Sequence, residues 1–235
     1  MNVAVIPARG GSKRIPRKNV RPFAGLPMIA HSIRCAQETG LFADVIVSTD
    51  DDEIAEVAER FGATVPFRRP AELSDDTTGT TAVVAHTVEW LRQQGRAPAA
   101  VCCIYATAPL VTPADIASGL SLLQEARWRY AFSATTYVFP VFRAFRELDA
   151  GGVEMLFPEH RTSRSQDLPE TLHDAGQFYW GRPEAWMAQE AIFAPHSTFV
   201  RIPPWRVQDI DTPDDWHRAE VLHRVLTAEQ GIPAR

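Results

Sequence analysis

Short apolar runs alternate with amphipathic stretches along the first half of the chain. Val3 to Ile6 is a strand-like run that Pro7 ends, and Val45-Ile46-Val47 and Ala100 to Tyr105 are two more. The last is continuously apolar, as in a strand covered on both faces. Between them the spacing turns helical. Ile29, Ile33 and Ala36 share one face, with Gly40 as the stop. Asp51, Asp52 and Glu53 place acids in a first turn, where the helix dipole favours them, ahead of Ile54, Val57, Ala58 and Phe61; Gly62 ends that helix. Ala82 to Leu91 and Pro113 to Leu123 read as further helices, with Pro113 at the first helical position. Ala131 to Thr136, Phe178-Tyr179 and Thr198 to Ile202 read as strands, and Pro213 to about Gln230 as a closing helix.

This β-α-β-α order predicts an α/β, three-layer nucleotide-binding fold with a mainly parallel sheet. A length of 235 residues suits a single domain over 1–235. Residues of about 137–166 break the rhythm with Phe, Pro and Arg, and read as a hairpin, a flap or an oligomer arm. In parallel sheets ligands bind at the carboxyl ends of strands, so the loops after Ile6, Ser48 and Tyr105 carry the interest.

Composition narrows the function classes. A net charge of -5 and no long basic run argue against nucleic acid as a partner. No apolar run is long enough for a membrane span. Three cysteines, two of them in the apolar run at Cys102-Cys103, read as core thiols and point to a reducing cytoplasm. The chain start lacks the features of a signal peptide. The histidines form no ligand-spaced cluster, so zinc is not expected; His31 and His86 fall within helical patterns.

The chemistry concentrates after the first strand, in Ile6-Pro7-Ala8-Arg9-Gly10-Gly11-Ser12-Lys13-Arg14-Ile15-Pro16-Arg17-Lys18-Asn19. Gly10 and Gly11 let backbone N–H groups approach an anion. Arg9, Lys13, Arg14, Arg17 and Lys18 offer five cations within ten residues, suited to a triphosphate and to the charge that develops when pyrophosphate departs. The spacing is neither a P-loop nor a dinucleotide fingerprint. Near the other end, Asp209 and Asp211 alternate in an extended stretch and would point to one side. They suit Mg²⁺, which takes hard oxygens and shares its shell with phosphates. Asp211-Thr212-Pro213 also has the grammar of a helix start, so capping by Asp211 or Thr212 is a second role for that segment.

The loop resembles the signature of CMP-nonulosonate synthetases, which include the CMP-N-acetylneuraminate enzymes and their pseudaminic and legionaminic relatives. Val47-Ser48-Thr49-Asp50-Asp51-Asp52-Glu53-Ile54, Arg68-Arg69-Pro70-Ala71-Glu72-Leu73-Ser74-Asp75-Asp76 and Gln208-Asp209-Ile210-Asp211-Thr212-Pro213-Asp214-Asp215-Trp216 resemble three further motifs in order. The resemblance implies a cytidylyltransferase fold with a dimerisation excursion, hence a homodimer. It implies that CTP is held by Ala8, Gly10, Gly11, Ser12, Lys18, Asn19, Arg69 and the Asp50 region, with Asn19 and Arg69 reading cytosine. Arg9 and Lys13 would hold the triphosphate, Lys13 stabilising the departing charge, and Asp209 and Asp211 would bind Mg²⁺. Either Asp211 or a metal-bound water could take the acceptor's proton.

Arg14, Tyr105-Ala106-Thr107-Ala108-Pro109-Leu110 and Asp75-Asp76-Thr77-Thr78-Gly79-Thr80 depart from the sialic pattern and are similar to pseudaminic acid cytidylyltransferases. So are the segments Ser163 to Glu170 and His173 to Trp180. A nonulosonic acid needs a cation, hydrogen-bonding groups and apolar surface. Tyr105, Arg164, Gln177 and Tyr179 could supply these, and period-2 alternation would send Gln177 and Tyr179 to one face. Phe178 and Trp180 could equally be core. CMP-N-acetylneuraminate and CMP-legionaminate synthesis are the alternative activities, with 3-deoxy-octulosonate transfer a chemical cousin whose first motif differs. A CTP sensor without turnover is the alternative of a different class.

Overall fold

The computed structural model describes residues 1–75 and 77–229. Asp76 and Gln230 lie outside the described residues. In chain order the elements are β1 (Asn2–Pro7), β2 (Pro22–Phe23), β3 (Leu26–Pro27), α1 (Met28–Glu38), β4 (Phe42–Ser48), α2 (Asp52–Arg60), α3 (Thr80–Gln93), β5 (Ala100–Ile104) and α4 (Pro113–Gln124). They continue with β6 (Tyr130–Thr136), β7 (Phe145–Glu147), β8 (Val153–Met155), β9 (Leu172–Gly181), α5 (Pro183–Met187), β10 (Ser197–Arg201) and α6 (Pro213–Glu229).

Six strands form the central sheet in the order β10-β6-β9-β5-β1-β4. β1 pairs in parallel with β4 and β5, and β10 with β6. β9 runs antiparallel to both of its neighbours, β5 and β6. The sheet is thus mainly parallel, with one reversed strand near its middle.

Alternation along each strand divides the core into two layers. Ala4 and Ile6 of β1 and Ala100, Cys102 and Ile104 of β5 pack with Ile29 and Ile33 of α1, Val57 of α2 and Ile116 of α4. Val3, Val5, Val101 and Cys103 face the other way, onto Val84, Val88 and Leu91 of α3 and Trp186 of α5. Phe178 and Trp180 are fully buried in the first layer, which decides their role as core. The three cysteines are buried free thiols, and burial raises the pKa of each.

The helix punctuation follows the sequence. Asp51 caps α2 by accepting from the Ile54 amide, and Gly40 and Gly62 follow α1 and α2 with φ of 64° and 84°. Thr112 and Asp115 form a capping box around Pro113. At α6 the Thr212 hydroxyl accepts from the Asp215 amide while the Asp215 carboxylate accepts from Thr212, so Thr212, not Asp211, is the cap. Between β6 and β9 the chain leaves the main sheet for the β7–β8 hairpin and three short 3₁₀ turns. Among the described residues no helix is long and apolar enough to cross a membrane.

Candidate active site

A cleft of about 510 Å³ opens where β1 and β5 end, lined by Ala8, Arg9, Ser12, Lys13, Arg14, Lys18 and Asn19 from the loop after β1. Arg69, Asp75, Thr78 and Thr80 close another side, Tyr105, Ala106 and Thr107 follow β5, and Asp211 arrives from the far end of the chain. The topology accounts for this gathering, because β1 and β5 are parallel neighbours and deliver their loops to the same edge.

The loop is held from below. Its first amide, Ala8 N–H, donates to the Ser48 carbonyl at 3.0 Å. Buried Asn19 donates from Nδ2 to the Arg9 carbonyl at 3.0 Å, and the Asn19 carbonyl accepts from the Ile29 amide at 2.9 Å. Gly10 N–H donates to Asp50 Oδ1 at 3.2 Å. A Cβ on Gly10 would stand 2.5 Å from Asp51 Oδ2, so only glycine lets the loop pass over the start of α2. Ile15 packs with Phe23, Met28, Ile210, Trp216 and Ala219 in a separate apolar cluster. That cluster ties the cationic loop to the segment carrying Asp209 and Asp211.

Cations and carboxylates meet at the C-terminal side. Arg14 pairs with Asp211 at 2.8 Å and Lys18 with the same carboxylate at 3.3 Å, while Lys18 also donates to the Ile210 carbonyl at 2.6 Å. The Asp209 carboxyl is held above its ordinary range, first by desolvation and then by the Asp211 charge. Asp209 keeps solvent contact, so the like charge is the part that a bound cation would relieve. Two close carboxylates of hard oxygens fit Mg²⁺. Among the described residues no group of three or more acidic, His or Cys side chains is placed to hold a metal ion.

On the opposite wall, Arg69 is buried, its guanidinium 3.5 Å from Asp50 and bonded to the Ser74 hydroxyl at 3.1 Å. Desolvation lowers its pKa and Asp50 partly restores it. Arg9 donates to the Asp75 carbonyl at 2.9 Å. The Asp75 carboxylate accepts from Thr77 and Thr78, and the Thr78 hydroxyl and amide lead in holding its pKa at about 2.

Most of the expected residues meet here: Ala8, Arg9, Ser12, Lys13, Lys18, Asn19, Arg69, Tyr105 and Asp211 all line the cleft. Several do not. Gly10, Gly11 and Asp50 sit beside it, and Asp50 acts as the brace between Gly10 and Arg69. Asp209 stands two residues before Asp211 in a stretch without regular structure and does not line the cleft. Arg164 stands exposed just before the 3₁₀ turn Ser165–Asp167, paired with Asp167, and is not brought to the cleft. Gln177 is buried and donates to the Arg206 carbonyl at 2.6 Å. Tyr179 is buried behind Tyr105, ring centroids 5.2 Å apart. Gln177 and Tyr179 therefore have different partners, because Gln177 stands within a break in the β6–β9 register where alternation fails. Thr78, Thr80 and Thr107 also line the cleft; each stands inside a motif quoted above as departing from the sialic pattern, which was the available signal, although none was singled out as a site residue.

The comparisons decide the family. The cytidylyltransferase family model matches residues 3–177. This chain belongs to the cytidylyltransferases. The pseudaminic acid cytidylyltransferase of Campylobacter jejuni is 44% identical over 224 residues, covering 95% of this cytidylyltransferase and 97% of that protein. A Helicobacter pylori protein named pseudaminic acid cytidylyltransferase and UDP-2,4-diacetamido-2,4,6-trideoxy-beta-L-altropyranose hydrolase is 34% identical, over 88% of this cytidylyltransferase and 40% of its own length. In three dimensions the chain superposes on CMP:2-keto-3-deoxy-manno-octonic acid synthetase complexed with CTP at a TM-score of 0.69, 18% identity and coverage of 95% and 98%. That likeness establishes a shared fold.

Proposed function

We propose that this cytidylyltransferase transfers CMP from CTP to the anomeric hydroxyl of a nonulosonic acid, pseudaminic acid first among them, and releases pyrophosphate. The observation that carries the reading is the cleft itself. One side gathers Arg9, Lys13, Arg14 and Lys18 with Asp211, a charge pattern for a triphosphate; the other offers Tyr105, Thr80 and Thr107, a mixed polar and aromatic wall for a sugar. The extended identity to the Campylobacter jejuni enzyme supports the choice of sugar acid.

In the reaction the sugar oxygen forms a bond to the α-phosphorus as the bond to pyrophosphate breaks. Arg9 and Lys13 would neutralise charge on the departing pyrophosphate, in a site that costs little reorganisation because the loop is already braced by Asn19 and Asp50. Buried Arg69 and Asn19 would orient the cytosine end. Asp209 and Asp211 would hold Mg²⁺, which when bound offsets phosphate charge and aligns the groups. Lys18 and Arg14 steady Asp211 meanwhile. Positioning supplies most of the rate in such displacements.

A homodimer in a reducing cytoplasm completes the proposal. Exposed Val138, Phe139, Phe145 and Val153 support a second copy as the cover for the excursion, and three buried free thiols support the compartment. The test is pyrophosphate release from CTP with Mg²⁺ and, in parallel, pseudaminic, N-acetylneuraminic and legionaminic acids. Release with pseudaminic acid foremost supports the full reading. Release with another of the three keeps the reaction and corrects the acceptor, and silence with all three, while CTP binds, refutes catalysis on nonulosonic acids.

A further inference from the structure

Behind the sugar-facing wall two tyrosines in ring contact lead back to a carboxylate. Thr80, the first residue of α3, lies with its Oγ1 3.2 Å from the Tyr105 hydroxyl. The Tyr105 ring leans on Tyr179 at 5.2 Å between centroids and 46° between planes. Tyr179 in turn donates its O–H to Asp174 Oδ2 at 2.5 Å. Only Thr80 and Tyr105 of the four touch the cleft.

Asp174 has a second task. β9 loses register with β6 between the pairs Phe132–Tyr179 and Ala134–Asp174. Gly176, inside that bulge, takes a φ of 63° and donates its amide to Asp174 Oδ1 at 2.9 Å. The Tyr105 amide donates to the Gln177 carbonyl in the same bulge at 2.9 Å. One carboxylate therefore closes the bulge with one oxygen and anchors the Tyr179–Tyr105 pair with the other. Bulges beside active sites commonly re-aim side chains in this way.

We propose that Asp174 is a positioning residue for acceptor selection: acting through Tyr179, it fixes the ring and hydroxyl of Tyr105, and so sets the shape of the sugar-acid side of the cleft without touching the substrate. The proposal rests on the reading of that side as the acceptor site. The cytosine and triphosphate contacts come from other elements, so the acceptor is affected and CTP is spared.

Tyr179→Phe is the principal variant, because it keeps the buried ring and removes the link to Asp174; Asp174→Ala is the second. With four tyrosines in the chain, ring-labelled tyrosine NMR gives one resolved signal per residue, assigned by Tyr→Phe changes. Both variants are expected to shift the Tyr105 signal and to raise the acceptor KM about tenfold, the loss of one hydrogen bond, with CTP KM unchanged. The double variant is expected to do no more than the stronger single, since both cut one linkage. An unmoved Tyr105 signal overturns the proposal. So does an equal rise in both KM values, which would mean general loosening. Should the wild type turn over none of the three sugar acids, the functional reading fails separately, and the Tyr105 signal alone decides whether Asp174 controls that wall.

Discussion

Asp115 and Arg206 join two parts of the chain across a sequence separation of 91 residues, and their removal tests what positions the C-terminal carboxylates. Arg206 donates from both terminal nitrogens to the two Asp115 oxygens at 2.6 and 2.9 Å, with side chains only 13% and 11% exposed. Asp115 Oδ2 also accepts from the Thr112 amide and hydroxyl in the capping box of α4. Asp115→Ala strands a guanidinium in a largely dry site, a cost of about 3–5 kcal/mol, and weakens a helix cap for about 1 kcal/mol more. Slight exposure of the pair moderates this, so about 4 kcal/mol is expected. Arg206→Met leaves a carboxylate that still accepts from Thr112, so about 2 kcal/mol is expected. The double variant leaves neither charge behind and should fall short of the sum by about 2 kcal/mol. Urea unfolding followed by tryptophan fluorescence measures all three, at a slope on the order of 2–3 kcal/mol per molar for a chain of this size. Asp115→Ala within 1 kcal/mol of wild type, or strict additivity in the double variant, would refute the account.

Lys13→Ala is expected to lower kcat by about 100-fold or more with the fold intact; pyrophosphate release by a variant with a wild-type melting curve checks it. Gly10→Ala forces a Cβ into the Asp51 carboxylate, so calorimetry should show weaker CTP binding by about tenfold or more. Asp209→Asn removes one of two like charges, and Mg²⁺ titration of the CTP complex should show weakened metal binding while CTP without metal binds as before. His31 is held at about 4 by burial, opposed by its bond to the Phe23 carbonyl, and His223 beside it is lowered too. Because these folded-state values lie below the unfolded 6.5, stability is complete at neutral pH and declines as pH falls from 6.5 towards 4. His31 alone should account for about 2 kcal/mol between pH 8 and pH 5, read from urea midpoints, and His31→Gln should flatten that slope.

The strands and long helices were legible because burial on two faces leaves continuous apolar runs and burial on one leaves helical spacing. Pro113, Gly40 and Gly62 marked boundaries through backbone geometry alone. Strand direction was not legible: β9 reads as apolar whichever way it runs, and only the excursion before it reverses the chain. The paired turns β2–β3 and β7–β8 are too short to show a period. At the site, the cationic loop and Asp211 could be named because charge density in a glycine-rich turn has few other uses. Gln177 was misplaced because a bulge shifts alternation. Arg164 was placed by motif, and its exposed pairing with Asp167 depends on local geometry that sequence does not carry.

The reversed strand β9 has a consequence for how the molecule is made. β5 and β6 follow one another in the chain, yet they share no hydrogen bonds; β9, synthesised after both, lies between them. Without β9 the strands β4-β1-β5 can still pair with one another, whereas β6 has no partner before it in the chain. Only the insertion of β9 links them, and the same strand carries Tyr179 to its place behind Tyr105. Joining β5 to β6 and seating Tyr179 behind Tyr105 therefore belong to one long-range step, which leaves only β10 to add along β6.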